Sequence, residues 1–142
     1  MILEFVKQWE ERKHLLEEWL TNNMPSSYEH IYKKLFGLVI TEPLESYSYK
    51  EWDWNRYKCI DDGDYQGTQI FILCSSSYQP SLTDYIFTEV YYGSCSGCDT
   101  FEAIREIQWT EGLPNEEQVK QFMTLALHMV QQTKTFNTKE ND

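Results

Sequence analysis

The sequence predicts an α+β domain, in which helices at both ends of the chain flank a small antiparallel sheet of about three strands. Apolar residues recur at helical spacing before residue 40 and after residue 115. Residues 56–60 have strand-like spacing, and residues 84–92 are rich in β-branched and aromatic residues. An Asp-Gly turn signal follows the first of these segments. We expect one domain over residues 1–134, followed by a polar, frayed tail at 135–142.

The first 40 residues are expected to form a helical hairpin. Apolar residues between Ile2 and Leu20 recur at helical spacing, with Glu and Lys between them, and this pattern predicts an amphipathic helix. The segment 22–25 (Asn-Asn-Met-Pro) ends it, and Ser26 with Glu29 has the spacing of a capping box for a second helix. The predicted buried face of that second helix comprises Tyr28, Ile31, Tyr32, Leu35, Phe36 and Val39.

The middle of the chain is expected to form a three-stranded meander. The strands span residues 56–60, 65–74 and 84–92. The Asp-Asp-Gly-Asp sequence at 61–64 is the turn signal between the first two strands. Trp52 and Trp54 alternate on one face of a possible earlier strand, which makes them candidates for an exposed binding patch.

Two helices are predicted at the C-terminal end. Asp99 or Thr100 caps a short helix, and Asp99 with Glu102 has capping-box spacing. Asn115 caps a last helix that ends near Thr133.

Composition and charge exclude several classes of function. The 23 acidic and 12 basic residues give a net charge of -11, which repels phosphate backbones and anionic lipid, so we expect no direct nucleic-acid binding and no membrane binding. The N-terminus lacks the apolar run of a signal sequence, and no segment approaches the roughly 18 consecutive apolar residues of a membrane span. We expect a cytoplasmic protein with reduced cysteines.

Two polar segments that are distant in sequence, 61–67 and 93–99, are predicted to meet through strand pairing. If the loop near Gln79 joins antiparallel partners, Gly67 lies opposite Tyr91 and Tyr65 lies opposite Gly93. The acidic turn then borders the cysteine-containing loop. The candidate ligand-binding residues are Asp61, Asp62, Asp64, Gln66, Tyr92, Ser94 and Asp99.

The cysteines suggest a possible metal site at the same place. Cys95 and Cys98 form a Cys-x-x-Cys pair suited to zinc, and Cys59 precedes the acidic turn and could approach them. Cys74 is expected at the far end of the hairpin, too distant to share the metal.

Other interpretations of these segments stay open. Cys95 or Cys98 could be redox-active at a helix N-terminus, although the neighbouring aspartates disfavour a thiolate. In the structural interpretation, the glycines allow a sharp turn and the cysteines are small, mostly buried residues. Aspartates in a Gly-containing turn are most often turn residues as well.

The polar motifs resemble those of a known protein family. The stretches 61–67 (DDGDYQG) and 92–99 (YGSCSGCD) are similar to those of a family of small uncharacterised proteins of bacteria and their phages. Residues 113–120 (LPNEEQVK) and the following helix resemble the same family. The resemblance covers about half of the chain or more and implies a bacterial or phage origin and a cytoplasmic setting, but it assigns no catalytic role to any residue.

Two hypotheses about function follow from these patterns. The first is a non-catalytic binding protein that engages a protein partner through an acidic, aromatic surface, for example as an antagonist of a host factor or defence system. The alternative is a metal- or small-ligand-binding domain, or an enzyme, with its site at the Cys-x-x-Cys loop and acidic turn. In the first, no cofactor is expected; in the second, zinc is the candidate.

Overall fold

Helices from both ends of the chain pack with a four-stranded antiparallel sheet, which confirms the predicted α+β class. The computed structural model describes residues 2–40, 52–63, 66–76, 79–80, 84–93, 99–107 and 112–135. Its helices are α1 (Ile2–Asn22), α2 (Tyr28–Leu35) with a π-helical continuation (Phe36–Ile40), α3 (Thr100–Arg105) and α4 (Glu116–Gln131). Its strands are β1 (Trp52–Asp61), β2 (Gly67–Ser75), β3 (Tyr85–Tyr92) and β4 (Lys134–Thr135).

The N-terminal helices bury the faces that their spacing predicts. In α1 the buried side chains include Phe5, Trp9, Leu16 and Leu20, and every residue of the predicted face in and after α2 is buried. The cap of α2 lies one residue later than predicted, because the hydroxyl of Ser27, not Ser26, accepts a 3.1 Å hydrogen bond from the backbone N–H of His30.

Two side chains of α1 bind the carbonyl groups of the π-helical segment. The amide of Gln8 donates a 2.7 Å hydrogen bond to the carbonyl of Ile40. The guanidinium of Arg12 donates hydrogen bonds of 3.2 and 3.0 Å to the carbonyl of Leu38. These bonds satisfy backbone acceptors that the end of a helix would otherwise leave unpaired.

The register of β2 against β3 differs by one residue from the prediction. Gly67 pairs with Tyr92 instead of Tyr91, whereas the predicted partners Tyr65 and Gly93 cannot be compared because Tyr65 lies outside the described residues. A slip of one residue exchanges the two faces of a strand. The observed register turns Ile86 toward the core beside the inward side chains of β2 and leaves Tyr91 60% exposed on the other face.

The sheet is larger than the predicted meander at both ends. β4 pairs with β3 through Ile86↔Thr135 and Phe87↔Lys134, so Thr135, placed in the predicted tail, forms part of the sheet. Residues 136–142 lie outside the described residues. β1 starts at Trp52, four residues before the predicted strand, and an irregularity in pairing between Asp53 and Lys58 interrupts its ladder.

The tryptophans of β1 do not form an exposed patch, so that prediction is wrong. Both are half-buried and pack against the core. The ring of Trp52 lies 6.4 Å from that of Phe5, and the ring of Trp54 lies 6.2 Å from that of Tyr32. Burial of these large aromatic surfaces outweighs the polar character of the neighbouring sequence.

The C-terminal helices begin at the predicted caps. Asp99 caps α3 and Asn115 caps α4, where Asn115 and Gln118 exchange reciprocal side-chain-to-backbone hydrogen bonds of 2.8 and 2.9 Å. The buried amide of Gln118 also donates to the carbonyls of Ile104 and Arg105, both at 3.1 Å. One side chain therefore ties the start of α4 to the end of α3.

Candidate functional site

The acidic turn is held together by the carboxylate of Asp61 at the end of β1. This carboxylate accepts hydrogen bonds from the Tyr92 hydroxyl at 2.6 Å, the Gln69 amide at 3.0 Å and the Gly63 backbone N–H at 3.1 Å. The bonds from Tyr92, Gln69 and Gly63 stabilise the charged form and lower the pKa of Asp61 below its usual value. Asp61 is therefore ionised at neutral pH, and its carboxylate accepts three hydrogen bonds from the chain itself.

The second aspartate and the two glycines complete this turn. Asp62 accepts a 2.8 Å hydrogen bond from the backbone N–H of Thr68, and its own N–H donates to the Thr68 carbonyl at 3.2 Å. A Cβ on Gly67 would lie 2.8 Å from the Cα of Gly63 and 3.0 Å from the carboxylate of Asp62. Close backbone approach therefore accounts for the glycines, and Gln66 is exposed beside them.

Asp99 has a structural role that the sequence predicts only in part. The residue is 7% exposed, and its carboxylate accepts from the Gly93 backbone N–H at 2.9 Å, the Tyr28 hydroxyl at 2.8 Å and the Glu102 backbone N–H at 3.2 Å. The same Tyr28 hydroxyl accepts from the backbone N–H of Phe101 at 3.0 Å. Asp99 thereby joins the end of β3, the start of α3 and the start of α2.

Burial raises the pKa of the Tyr28 phenol above its usual value, and the adjacent carboxylate of Asp99 adds to this effect. The phenol therefore stays protonated and can continue to donate to Asp99. The sequence predicts Tyr28 as a core residue, and its polar role depends on a partner 71 residues away in the chain.

The described ends of the two polar segments are neighbours in the sheet, because Gly67 pairs with Tyr92, which precedes Gly93. The carboxylate of Asp61 accepts a hydrogen bond from the Tyr92 hydroxyl. The carboxylate of Asp99 accepts one from the backbone N–H of Gly93, which follows Tyr92 in the chain. Of the other candidate residues, Asp64 and Ser94 lie outside the described residues. The described carboxylates therefore form structural hydrogen bonds at the positions where the sequence predicts ligand binding.

The two described cysteines lie on neighbouring strands, Cys59 on β1 and Cys74 on β2. Cys59 lies opposite Phe71 and is half-buried, and burial together with the nearby Glu29 and Asp61 raises the pKa of its thiol. Cys74 is buried opposite Tyr85 at the far end, as predicted. A raised pKa keeps the Cys59 thiol protonated and therefore weakly nucleophilic.

No group of three or more His, Cys, Asp or Glu side chains within the described ranges is arranged to hold a metal ion. Cys95 and Cys98 lie outside those ranges, so the zinc site stays a prediction. Its third proposed ligand, Cys59, lies two residues before Asp61 on β1.

A polar cluster that the sequence does not indicate joins α2 to β1. The Tyr57 hydroxyl donates a 2.6 Å hydrogen bond to Glu29, and the ammonium group of Lys33 lies 3.8 Å from the same carboxylate. Lys33 also lies 5.1 Å from the centre of the Tyr57 ring. Burial, followed by the hydrogen bond to Glu29, raises the pKa of the Tyr57 phenol. These contacts fix the position of β1 against α2.

A groove of about 990 Å³ runs between α1 and α4, and we call it the α1–α4 groove. Its apolar lining includes Trp9 from α1 and Val119, Met123 and Leu127 from α4. The last three recur every fourth residue, so they lie along one side of the helix. Their spacing in the sequence indicates an apolar side of a helix but not a groove.

Charged side chains border the α1–α4 groove. Glu17 and Glu18 of α1 and Glu116 of α4 are exposed lining residues, as are Lys13 and Lys120. Lys13 also forms an exposed 3.4 Å ion pair with Glu10. The groove thus combines an apolar floor with a rim in which acidic residues outnumber basic ones.

Comparisons with protein-family models, with curated proteins and with solved structures give no match for this chain. The resemblance of the acidic turn and cysteine loop therefore stays a prediction. Within the part of the chain that the structure describes, none of the helices has the length and apolar character needed to cross a bilayer.

Proposed function

We propose that this protein is a non-catalytic binding protein, which engages a protein partner at the α1–α4 groove. The observation that carries this proposal is the groove itself, with its volume of about 990 Å³, apolar floor and charged rim. Protein–protein interfaces commonly combine an apolar centre with a polar rim that is accessible to solvent. Apart from Pro114 and Asn115, the lining comes from the two long helices α1 and α4, so regular secondary structure holds most of the surface in place.

The charge of the chain supports a protein partner. A net charge of -11 opposes contact with nucleic-acid phosphates and anionic lipid, and it favours association with basic protein surfaces. Electrostatic attraction of this kind increases the rate of encounter and disfavours partners of like charge.

The hydrogen bonding of the described aspartates in the two polar segments also favours binding over catalysis. Asp61, Asp62 and Asp99 each accept hydrogen bonds from the chain itself, and these bonds maintain the fold. A general acid or base needs a carboxylate directed at a substrate. The proposal therefore assigns these residues to structure.

A bacterial or phage origin, implied by the sequence resemblance, would place the interaction in the cytoplasm. Under this proposal the partner is a host factor or a component of a defence system, which the protein antagonises by occupying a basic surface. Direct inhibition of this kind requires no cofactor.

Site-specific photo-cross-linking in bacterial cells tests the proposed function. We place a photoreactive p-benzoylphenylalanine at Thr124, an exposed residue that lines the groove, and at Thr100, an exposed residue at the start of α3. We expect discrete protein adducts from position 124, identified by mass spectrometry, and none of the same species from position 100. Identical adducts from both positions, or no adduct from position 124, would overturn the proposal.

A further inference from the structure

The α1–α4 groove matches the size of a short helical segment. A helix about 10 Å wide that rises about 1.5 Å per residue would fill the groove volume of about 990 Å³ with roughly eight residues. Val119 and Leu127 are also eight positions apart on α4, which corresponds to about 12 Å along the helix axis. Both estimates indicate about two turns of an occupying helix.

The lining of the groove suits the apolar face of such a helix. Met123 lies between Val119 and Leu127, and Trp9 faces the same space from α1. Amphipathic helices bind apolar grooves through residues spaced three or four apart, and methionine side chains adapt to varied partners.

The charged residues that line the groove indicate the sign of the charge that a partner should carry. Among the described residues, the exposed glutamates of the lining are Glu17, Glu18 and Glu116, and its exposed lysines are Lys13 and Lys120. Lys13 already forms a 3.4 Å ion pair with Glu10. This excess of acidic residues beside an apolar floor complements a helix with one apolar and one cationic face.

We infer that the α1–α4 groove binds a cationic amphipathic helix of a partner protein, an inference that rests on the proposed function. A second copy of this chain is disfavoured as the occupant, because each copy carries a net charge of -11. An acidic or uncharged helix would lack the attraction of the rim. Lys or Arg in the partner helix would lie opposite Glu17 and Glu18 of α1 and Glu116 of α4.

The test uses synthetic helical peptides and the full chain. The probe is a fluorescein-labelled 16-residue peptide of Leu and Lys in which Leu recurs at helical spacing. One control peptide has the same composition in an order without that spacing, and a second has Glu in place of each Lys. We expect saturable binding of the probe by fluorescence anisotropy, weakening as salt increases, and no saturable binding of either control.

Two double variants with the same change in net charge locate the binding site. The groove variant combines Glu17→Lys with Glu18→Lys, and the control variant combines Glu89→Lys with Glu106→Lys, all four positions being exposed. We expect about tenfold weaker binding for the groove variant, from lost attraction and added repulsion, and less than about twofold for the control. Equal weakening by both variants would overturn the inference.

Methionine-methyl NMR provides a second location measurement. The chain has four methionines, of which Met123 lines the groove and Met129 is buried elsewhere on α4. We expect the probe to shift the Met123 methyl signal while the Met129 signal stays in place. If photo-cross-linking from position 124 succeeds but the probe neither binds nor shifts Met123, the helix inference falls and the proposed function stands.

Discussion

The Tyr28 hydroxyl donates a 2.8 Å hydrogen bond to the buried carboxylate of Asp99, which lies 71 residues later in the chain. Because Asp99 also accepts from Gly93 and caps α3, this bond connects the N-terminal hairpin to the segment after β3. Asp99, which the sequence predicts as a ligand-binding residue, is therefore part of a structural junction.

Replacement of Tyr28 tests the junction. Tyr28→Phe removes the donor to Asp99 and the acceptor for the Phe101 N–H, so we expect the free energy of unfolding to fall by about 1–3 kcal/mol. Urea unfolding monitored by tryptophan fluorescence measures the change. Tyr91→Phe, at a side chain 60% exposed, is the control and should stay within about 0.5 kcal/mol of the original protein. Equal losses in both variants would contradict the role of the junction.

Replacement of Tyr92 tests the acidic turn through the pKa of Asp61. Tyr92→Phe removes the first cause of the lowered pKa, so we expect the Asp61 pKa to rise toward its ordinary value of 3.8. Carboxyl-carbon NMR titration measures this pKa, and Tyr91→Phe again serves as the control. An unchanged Asp61 pKa in the Tyr92 variant would exclude the hydrogen bond as its cause.

The same titration has a consequence for stability at acid pH. The folded-state pKa of Asp61 lies below its unfolded value, so its charged form stabilises the fold above the unfolded pKa and this contribution is lost as the pH falls through the folded pKa. Tyr92→Phe should therefore reduce the difference in unfolding free energy between neutral pH and pH 3.

Substitution of Gly67 tests whether the acidic turn depends on close backbone approach, and substitution of Gly37 is the control. Gly67→Ala would place a Cβ 2.8 Å from the Cα of Gly63, so we expect a loss of about 1–3 kcal/mol in unfolding free energy. Gly37→Ala, in the π-helical segment with nothing within 4 Å of the added Cβ, should instead gain about 0.4–1 kcal/mol. Chemical unfolding of both variants measures the contrast, and losses of similar size at the two sites would contradict it.

The alternative metal hypothesis makes its own prediction. If Cys95 and Cys98 bind zinc with Cys59, protein purified without added metal should contain about one equivalent of zinc, and both thiols of the pair should resist titration in the native state. Elemental analysis and thiol titration measure these quantities, with Cys95→Ser and Cys98→Ser together as the matched variant. Less than about half an equivalent of zinc with freely titratable thiols would count against the hypothesis.

The elements of the fold are predictable where local chemistry determines them. Asn115 and Asp99 are recognisable as caps because a short polar side chain precedes an apolar helical pattern, and Ile31 and Leu35 are recognisable as core from their spacing. Local chemistry does not determine the register of β2 against β3, because two pairings that differ by one residue both suit the turn chemistry. Burial of Ile86 against the helices selects the observed one.

The candidate binding surface is less accessible to sequence reasoning. Trp9 and Met123 belong to separate helices, and their common groove depends on how α1 and α4 pack. Helix spacing identifies the apolar side of each element but not the gap left between two elements. The same limitation applies to Tyr57, whose partner Glu29 lies 28 residues away.

The pair formed by Gln8 and Arg12 makes the rotation of α1 about its own axis a determinant of the fold. These residues are four positions apart and reach the carbonyls of Ile40 and Leu38 from the same side of the helix. One residue inserted between them would turn the following part of α1 by about 100° and move one of the two donors away from its acceptor. The spacing within α1 is therefore restricted by hydrogen-bonding geometry as well as by hydrophobicity, and insertions are better tolerated beyond its C-terminal end than within it.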